Sequence, residues 1–305
     1  MKILVTGGAG FIGSHLVDRL EKDSDHQISI FDNLFRGKRE NISRHLNSGR
    51  IEFLEKDLRD YSSLLNAARG SDVIYHLGAQ SNVMGAVTDV DYSFNTNVGG
   101  TFNVLKAAQE AHVGRVVFTS SREVYGDPQF VPVSEDHPLG SKNTYGASKA
   151  AGELYCRVFQ NLFDVQTSVL RLANVYGSRD FGRVIPLWLG WAREGRDLTV
   201  YGGRQVIDFI WIDVVVEALI RASKVDLHGQ PVNIGSGKGT PILELAQRII
   251  DLAGTGSKVD MHPARGAEVV EYIAKVDRMM EVLDLNPPHD PLSGLEILFL
   301  KSKDH

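Results

Sequence analysis

A glycine-rich stretch near the start of the chain, TGGAGFIGSH (6–15), directly follows the apolar run KILV. Gly7, Gly10 and Gly13 stand at the mouth of an amphipathic helical pattern that runs from Gly10 to Leu20. Glycines in this spacing allow a tight turn and let backbone amides and a helix N-terminus approach a pyrophosphate. Glycine turns are common, so the spacing alone is a weak signal. Its position between a strand and a helix predicts a dinucleotide site.

Short runs rich in β-branched residues alternate with longer helical patterns along the first half of the chain. This alternation predicts an α/β fold of the Rossmann type, a doubly wound parallel sheet with helices on both faces. In such sheets the ligand lies beyond the carboxyl ends of the strands, so functional residues are expected directly after each run. The predicted strands are KILV (2–5), ISIF (28–31), IEFL (51–54), DVIYH (72–76), RVVFT (115–119) and TSVLR (167–171).

Composition limits the partners that the chain is expected to have. A formal net charge of -5 over 305 residues gives no electrostatic reason to expect DNA, RNA or an anionic membrane. The apolar start MKILV is cut short by TGGAG, which is unlike a signal peptide. The single cysteine, Cys156, fits a reducing compartment, and the histidines show no metal-ligand spacing. We therefore expect a cytoplasmic protein without a metal, nucleic-acid or membrane partner.

Asp32 closes the second predicted strand, roughly 20 residues beyond the glycines. A carboxylate at this position accepts hydrogen bonds from the adenosine ribose hydroxyls and repels a 2′-phosphate. The sequence therefore favours NAD over NADP as cofactor. The cations of the following loop keep NADP as the alternative, namely Arg36, Lys38 and Arg39.

The ends of the next two strands extend this expected cofactor site. The third strand ends in KDLRD, which places Asp57 and Leu58 near the adenine. The fourth ends in HLGAQ (76–80), whose small residues allow close approach. We predict an NAD-binding Rossmann domain over residues 1–173. Residues 174–305 are expected to form mainly a smaller substrate-binding lobe, interleaved with the first domain by elements near 208–236 that return to it.

A hydroxyl-rich strand end precedes a tyrosine and a lysine four residues apart. The strand RVVFT delivers Ser120 and Ser121 to its carboxyl end, and YGASK (145–149) then opens a long helical run. Tyr145 and Lys149 therefore share one helix face. A lysine ammonium near a phenol lowers the pKa of the phenol, which makes Tyr145 usable as a base. Serine, tyrosine and lysine around a nicotinamide suit the oxidation of a secondary alcohol.

With these motifs in order, the sequence resembles the extended short-chain dehydrogenase/reductase family, in particular nucleotide-sugar epimerases and dehydratases related to UDP-glucose 4-epimerase. The resemblance runs from residue 1 to about residue 285. The matching motifs are TGGAGFIG, FDNL, DLRD, HLGAQ, NVGGT (97–101), SSREVYG, YGASK and RLANVYG (171–177).

The resemblance implies a set of functional residues and partners. It implies a catalytic triad of Ser121, Tyr145 and Lys149, and a nucleotide diphosphate-sugar whose diphosphate region contacts Asn174. It also implies a homodimer built from the helices around 98–112 and 145–162. The residues that it implies for NAD, apart from the tyrosine and lysine of the triad, are Gly7, Gly10, Phe11, Ile12, Gly13, Asp32, Asn33, Asp57, Leu58, Leu77, Ala79, Gln80 and Asn97.

Family membership leaves the reaction open, because oxidation at sugar C4 begins epimerisation, dehydration and decarboxylation alike. Glu123 resembles the glutamate that dehydratases and UDP-glucuronate decarboxylases carry there, and it is a candidate base for the C5 proton. Arg122 stands where those relatives carry a small or acidic residue. The overall chain resembles the small 4-epimerases more closely, so we predict an NAD-dependent nucleotide-sugar 4-epimerase. The alternatives are a dehydratase or decarboxylase that uses Glu123, and a non-enzymatic NAD-binding regulator.

The expected contacts to the substrate diphosphate depart from the family pattern. In GGRQVIDF, relatives carry arginine directly before the aspartate, whereas this chain has Ile207. Arg204, three residues earlier, is a candidate replacement. Arg183 in the loop DFGRVIP and Arg265 in HPARGAEV are further candidate anion contacts.

Overall fold

The structure is a computed structural model that describes residues 1–22, 26–46, 49, 51–81, 83–264 and 269–301. Its strands, in chain order, are β1 (Lys2–Thr6), β2 (Gln27–Asp32), β3 (Ile51–Glu55), β4 (Val73–His76), β5 (Arg115–Ser121), β6 (Gln166–Leu172), β7 (Asn174–Tyr176), β8 (Leu198–Tyr201), β9 (Val206–Trp211), β10 (Pro231–Ile234), β11 (Gly239–Pro241), β12 (Val259–His262) and β13 (Glu271–Tyr272).

The helices vary from one turn to more than five. They are α1 (Phe11–Lys22), α2 (Ser43–Leu46), α3 (Tyr61–Ala68), α4 (Val83–Thr88), α5 (Val90–Phe94), α6 (Gly100–Glu110), α7 (Thr144–Phe163), α8 (Val184–Arg193), α9 (Ile212–Ala222), α10 (Ile242–Ala253), α11 (Asp277–Leu283) and α12 (Leu295–Lys301). A π-helical segment, Asn95–Gly99, joins α5 to α6. Among the described residues, no helix is long and apolar enough to cross a membrane.

Seven parallel strands form the larger sheet, in the order β10-β6-β5-β4-β1-β2-β3. The chain runs outward from β1 through β2 to β3 and then returns to pair β4 with the other side of β1. The connections from β1 and β4 therefore leave in opposite directions, which opens a crevice at their carboxyl ends. All six predicted runs coincide with strands of this sheet, and the predicted fold class is confirmed.

Strand residues alternate between the two faces of the larger sheet, because successive side chains of a strand point to opposite sides. Leu4 packs in one buried cluster with Phe159 of α7, and this cluster also includes residues of α3 and α6. Val5 packs in another with Leu16 of α1 and Leu219 of α9. Helices therefore cover both faces, and apolar burial holds the sheet between them.

The second half of the chain adds two smaller sheets. In one, β9 pairs with β7, β11 and β13, and in the other β8 pairs with β12. A separate buried cluster joins these sheets to α8, α10 and α12. Helix α9 and strand β10 pack with the larger sheet, whereas β9 pairs with strands of the smaller sheet and contributes Ile210 to the same buried cluster as Val5. The domain division at residue 173 stays a prediction.

Candidate active site

A cavity of about 310 Å³ lies at the carboxyl ends of the strands of the larger sheet. It extends from the glycine-rich loop after β1 to the N-terminal part of α7 and to the loop before α8. The structure therefore brings most of the predicted site residues together. Those that line the cavity are Gly7, Gly10, Phe11, Ile12, Gly13, Asp32, Asn33, Asp57, Leu58, Leu77, Ala79, Ser121, Glu123, Tyr145, Lys149, Asn174 and Arg183.

The glycine-rich loop is shaped so that side chains would block it. Gly7 has a φ of 71°, and a Cβ there would lie 2.7 Å from the backbone nitrogen of Gly78. A Cβ on Gly13 would lie 2.1 Å from the carbonyl oxygen of Gly7. Both contacts involve backbone atoms, which cannot move aside like a flexible side chain. The loop therefore presents bare backbone at the start of α1, which fits the pyrophosphate of a dinucleotide.

Asp32 is fixed at the end of β2 by the neighbouring backbone. Its carboxylate accepts hydrogen bonds from the amides of Ala9 at 3.0 Å and Leu34 at 2.8 Å. Burial is the largest influence on this group and raises its pKa. A carboxylate has about four lone-pair directions, so two remain for other donors. The position fits an acceptor for ribose hydroxyls.

The end of the cavity that is predicted to hold the adenosine contains a polar cluster beside an aromatic pair. The Arg59 side chain donates two hydrogen bonds to Asp57, each 2.8 Å long, and the Arg59 amide donates another of 2.9 Å. Asn33 donates a fourth, of 2.8 Å. The hydrogen bonds from the Arg59 side chain are the main reason why the pKa of Asp57 falls to about 2. Phe35 and Tyr92 stack beside it with ring centroids 4.6 Å apart. Both rings line the cavity, and no motif in the sequence indicated them.

Gln80 and Asn97 are buried next to the cavity and are not among the residues that line it, so their cofactor contacts stay a prediction. The side-chain oxygen of Asn97 accepts from the Gln80 amide nitrogen at 2.7 Å, and its Nδ2 donates to the Gln80 carbonyl at 3.2 Å and to Ser148 at 3.0 Å. The Asn97 side chain thus joins the loop after β4 to α7. The order of the motifs in the sequence correctly placed both residues near the cavity. It did not show whether their side chains line the cavity.

Two adjacent serines at the end of β5 have different surroundings. Ser120 donates to the carboxylate of Glu153, which Arg171 holds by a buried ion pair of 2.7 Å. Ser121 accepts from the Glu123 amide at 3.2 Å and shares a hydrogen bond with the Tyr145 hydroxyl. Of the two, Ser121 is therefore the serine placed to act together with the tyrosine.

Tyr145 and Lys149 lie on the first turns of α7. Asn143 caps this helix by accepting from the Gly146 amide at 2.8 Å. The Lys149 Nζ donates to the Thr119 carbonyl at 2.8 Å and lies 6.0 Å from the centroid of the Tyr145 ring. Lys149 is only 3% exposed, and burial lowers its pKa to about 8. The helix N-terminus therefore carries both groups into the cavity, as their spacing predicted.

Tyr145 is a weaker acid in this structure than a free phenol. Burial, the largest cause, raises its pKa to about 12, and the nearby Glu123 carboxylate adds to the increase. Arg183 and the hydrogen bond with Ser121 act in the opposite direction, whereas Lys149 is not among the groups that shift it. The lowering of the Tyr145 pKa that the sequence analysis expected from Lys149 is thus not seen. A base at this position requires additional positive charge beside the phenol.

The predicted arginine contacts divide into three cases. Arg183 lines the cavity, donates to Asp180 at 3.0 Å, and lies over the Phe11 ring at 5.8 Å. Arg204 is exposed before β9 and does not line the cavity, so its role as a substrate contact stays a prediction. Ile207 packs against the core of the second lobe. Arg265 lies outside the described residues.

Several cavity residues escaped the sequence analysis. Asp180 lines the cavity and is buried, which raises its pKa to about 6. Phe181 also lines it, and its ring centroid lies 4.9 Å from the guanidinium of Arg36, which the sequence indicated only as a cation of the loop after the second strand. These residues come from loops far apart in the chain, so no local pattern connects them. Within the described ranges, no cluster of three or more His, Cys, Asp or Glu residues is suited to a metal ion.

Comparison with known proteins identifies what this architecture resembles. A profile of the NAD dependent epimerase/dehydratase family matches residues 3–235. The UDP-glucose 4-epimerase of Mycolicibacterium smegmatis is 37% identical over 295 residues, with 94% of each chain covered. A solved UDP-glucose 4-epimerase of Thermotoga maritima, in complex with UDP-glucose, superposes with a TM-score of 0.93 at 29% identity over 100% of both chains. A dTDP-glucose 4,6-dehydratase of Streptomyces venezuelae with bound NAD gives 0.94 at 29% identity, covering 100% of this chain and 98% of the other.

Proposed function

Because the chain belongs to the NAD dependent epimerase/dehydratase family, we propose that it is an NAD-dependent 4-epimerase of a nucleotide diphosphate-sugar of the UDP-glucose or UDP-N-acetylglucosamine type. The observation that carries the proposal is the convergence of Ser121, Tyr145 and Lys149 on the cavity that the bare glycine loop opens into. The similarity to UDP-glucose 4-epimerases over nearly the whole chain supports the choice of reaction.

We assign the cofactor to the half of the cavity beneath β1, β2 and β4. The glycine loop would hold the pyrophosphate of NAD, Asp32 the adenosine ribose, and Asp57 with Leu58 the adenine side. When bound, NAD supplies a hydride acceptor and later a hydride donor for sugar C4, and its positively charged ring lowers the pKa of a phenol beside it.

The residues of α7 and β5 handle the proton in this mechanism. Tyr145 removes the proton of the C4 hydroxyl, and Ser121 steadies the same oxygen through its hydroxyl. Lys149, tied to the Thr119 carbonyl, is placed to hold the nicotinamide ribose. Turning the keto sugar then presents its other face, and Tyr145 returns the proton.

Substrate binding is assigned to the side of the cavity formed by the second lobe. Asn174 begins β7, and Arg183 precedes α8, where both face the cavity. Of the positions weighed for the diphosphate, Arg183 is the cation that lines the cavity, since Arg204 lies outside it and Ile207 carries no charge, and we assign the diphosphate contact to Arg183.

A dehydratase or decarboxylase is the second candidate, because Glu123 lines the cavity close enough to Tyr145 to raise the pKa of the phenol. A carboxylate there has the chemistry to remove a proton next to a ketone. The similarity to a dTDP-glucose 4,6-dehydratase supports keeping this candidate. A non-enzymatic regulator is disfavoured, since the serine, tyrosine and lysine are all present and face one cavity.

We further propose a homodimer and a cytoplasmic location. Helix α7 exposes an apolar stripe, with Leu154 58%, Val158 43% and Leu162 72% exposed, and α6 adds Phe102 at 39%. Contiguous exposed apolar residues of this kind are typical of protein interfaces. The described free thiol of Cys156 fits a reducing compartment.

The test is to incubate the purified protein with NAD and a panel of UDP-, dTDP- and GDP-sugars, including uronic acids, and to follow products by liquid chromatography and mass spectrometry. An isomer of unchanged mass supports epimerisation. Loss of water or carbon dioxide would instead select the second candidate. Tyr145→Phe is the matched control, which should bind NAD and form no product.

A further inference from the structure

Glu123 presents a chemical hazard for a 4-epimerase. A ketone at sugar C4 makes the hydrogens on C3 and C5 acidic, so a carboxylate that reaches them removes a proton and scrambles the sugar. Of the described residues that line the cavity, four carry carboxylates: Asp32, Asp57, Glu123 and Asp180. The first two follow β2 and β3, on the cofactor side of the sheet, and the fourth is paired with Arg183. Glu123 is the one beside Tyr145.

Both carboxylate oxygens of Glu123 are engaged by protein donors. Arg122 lies 3.0 Å from Oε1 through its terminal nitrogen, and Asn143 donates to Oε2 at 2.8 Å. The side chains of Arg122 and Glu123 are only 14% and 10% exposed, so this ion pair is shielded from water. Charge-assisted hydrogen bonds in such a setting are stronger than neutral ones and fix the direction of the carboxylate.

Arg122 is itself held from a second side. Its Nε donates to Oδ1 of Asn174 at 2.5 Å, and its guanidinium lies 5.7 Å from the centroid of the buried Tyr272 ring. The guanidinium is planar, so contacts at two of its nitrogens define its orientation. Arg122 therefore connects the end of β5 to the start of β7, and cannot swing away without releasing Glu123 and Asn174 together.

The backbone restricts Glu123 in the same way. Ser121 caps the short 3₁₀ turn Arg122–Val124 through the Glu123 amide. On the other side, a Cβ on Gly146 would lie 2.3 Å from the Glu123 carbonyl oxygen, so the turn packs directly on the first turn of α7. Side chain and main chain of Glu123 are thus both fixed beside the catalytic tyrosine.

We propose that Arg122 is a positioning residue that withholds the Glu123 carboxylate from the keto sugar and so keeps the reaction on the epimerisation branch. The proposal rests on the proposed function, since it concerns the 4-keto intermediate. This role explains how a 4-epimerase can carry a glutamate beside Tyr145 and still reduce its 4-keto intermediate without exchanging the hydrogens on C3 and C5. Through Asn174, the same arginine also orients a residue assigned to the substrate.

The consequence of releasing Glu123 is a defined proton exchange. The free carboxylate takes a proton from C3 or C5 of the 4-keto sugar, and the electron pair of the broken C–H bond moves into an enolate. In D2O the carboxyl group exchanges its proton with solvent and gives a deuteron back to the same carbon. The product then contains one C–D bond next to C4, while the hydrogen at C4 is unaffected.

The experiment compares wild type, Arg122→Met, Arg122→Lys and the double variant Arg122→Met/Glu123→Gln with NAD and the sugar panel in D2O. Deuterium at C3 and C5 is read by mass spectrometry and NMR per molecule of sugar recovered. Wild type should show only natural abundance. The sugar recovered from Arg122→Met should contain on the order of a hundredfold more deuterium than that from wild type. This factor is the low end of the rate increase that a positioned base provides. The double variant should lose that gain, and Arg122→Lys should suppress it by keeping a cation beside Glu123.

A purely structural role for Arg122 would slow all steps without placing deuterium next to C4. Should Arg122→Met fail to fold or to bind NAD, Arg122→Gln provides the second variant. Glutamine keeps a polar side chain in this position and removes the guanidinium charge that pairs with Oε1 of Glu123. Deuterium gain in Arg122→Gln then supports the proposal, and its absence overturns it.

The outcomes separate this inference from the proposed function. Epimerisation by Arg122→Met without deuterium incorporation overturns the inference and leaves the function standing. Exchange by Arg122→Met while wild type epimerises no sugar contradicts the function and supports the role of Arg122. Exchange in wild type equal to that of Arg122→Met also overturns the inference. If no sugar is converted by any of the proteins and none gains deuterium, both the inference and the proposed function are contradicted.

Discussion

Lys149, which we assign to the catalytic triad, illustrates how a single buried residue can lower the stability of the fold. Lys149 is only 3% exposed, and its ammonium group donates a hydrogen bond to the main-chain carbonyl of Thr119. Burial of an ammonium group without a carboxylate partner at ion-pair distance disfavours the charged form, and its pKa falls from 10.5 to about 8. The buried ammonium group of Lys149 therefore lowers the free energy of unfolding at neutral pH. Destabilising groups of this kind are common at functional sites.

We expect Lys149→Met to reveal this cost as a pH-dependent difference in stability. Between pH 8 and 10.5 the folded protein has released a proton that the unfolded chain still holds, so the stability of wild type rises with pH across this window. Relative to Lys149→Met, the free energy of unfolding of wild type should increase by on the order of 3 kcal/mol from the lower to the upper end. Urea unfolding at several pH values measures this. A difference that is constant with pH would show that the buried ammonium is not destabilised.

At the scale of elements, two loops form a strap across the cofactor side of the cavity. The loop after β2 contributes Arg36 and Lys38, whose charged groups each lie 4.9 Å from the centroid of the Phe181 ring. The loop before α8, which carries Phe181, is anchored at its start to α1. His15 contacts the Ser178 carbonyl at 2.8 Å, and Arg179 pairs with Asp18 at 2.6 Å. The strap therefore ties an element of the second lobe to the cofactor-binding half.

Removing the ring from this strap should weaken NAD retention. Two cation–π contacts at a partly exposed ring contribute roughly 0.5–1 kcal/mol each. We therefore expect Phe181→Ala to raise the NAD dissociation rate about 5- to 30-fold, since 1.4 kcal/mol corresponds to a factor of ten. Fluorescence stopped-flow with excess competing nucleotide measures the rate.

Two further variants serve as controls for the strap. Phe181→Trp preserves an aromatic face and should keep NAD dissociation slow. Phe130→Ala removes another half-exposed phenylalanine, outside the residues that line the cavity, and should leave dissociation unchanged. Equal rates for wild type and Phe181→Ala would contradict a role for the strap in retention.

For the whole molecule, the exposed stripe of α7 predicts the assembly. We expect Val158→Glu to shift the protein from dimer toward monomer in sedimentation experiments, because a charge in the centre of an apolar interface is costly to bury. Leu243→Glu, at a similarly exposed apolar position on α10, is the matched control and should leave the mass unchanged. A monomeric wild type, or a dimeric Val158→Glu, would contradict the proposed interface.

The larger sheet and most of the site could be predicted from the sequence because their signals are local. Strand runs, the glycine spacing and the four-residue spacing of Tyr145 and Lys149 each reflect the geometry of a single turn or strand end. The strand order then follows from the rules for α/β sheets. The buried position of Asn97 next to the cavity, the pairing of Arg122 with Asn174 and the strap at Phe181 depend on segments that meet only in three dimensions. No spacing in the sequence encodes those contacts.

The most direct test of the central claim follows a deuterium label at sugar C4 of UDP-glucose through the reaction with NAD-loaded protein. We expect the 4-epimer to form with unchanged mass and with the deuterium still on C4, because the hydride that leaves this carbon returns to its other face. Loss of the label to solvent, or its transfer to C6 with loss of water, would contradict the account. So would recovery of UDP-glucose and UDP-N-acetylglucosamine unreacted under conditions where NAD is bound.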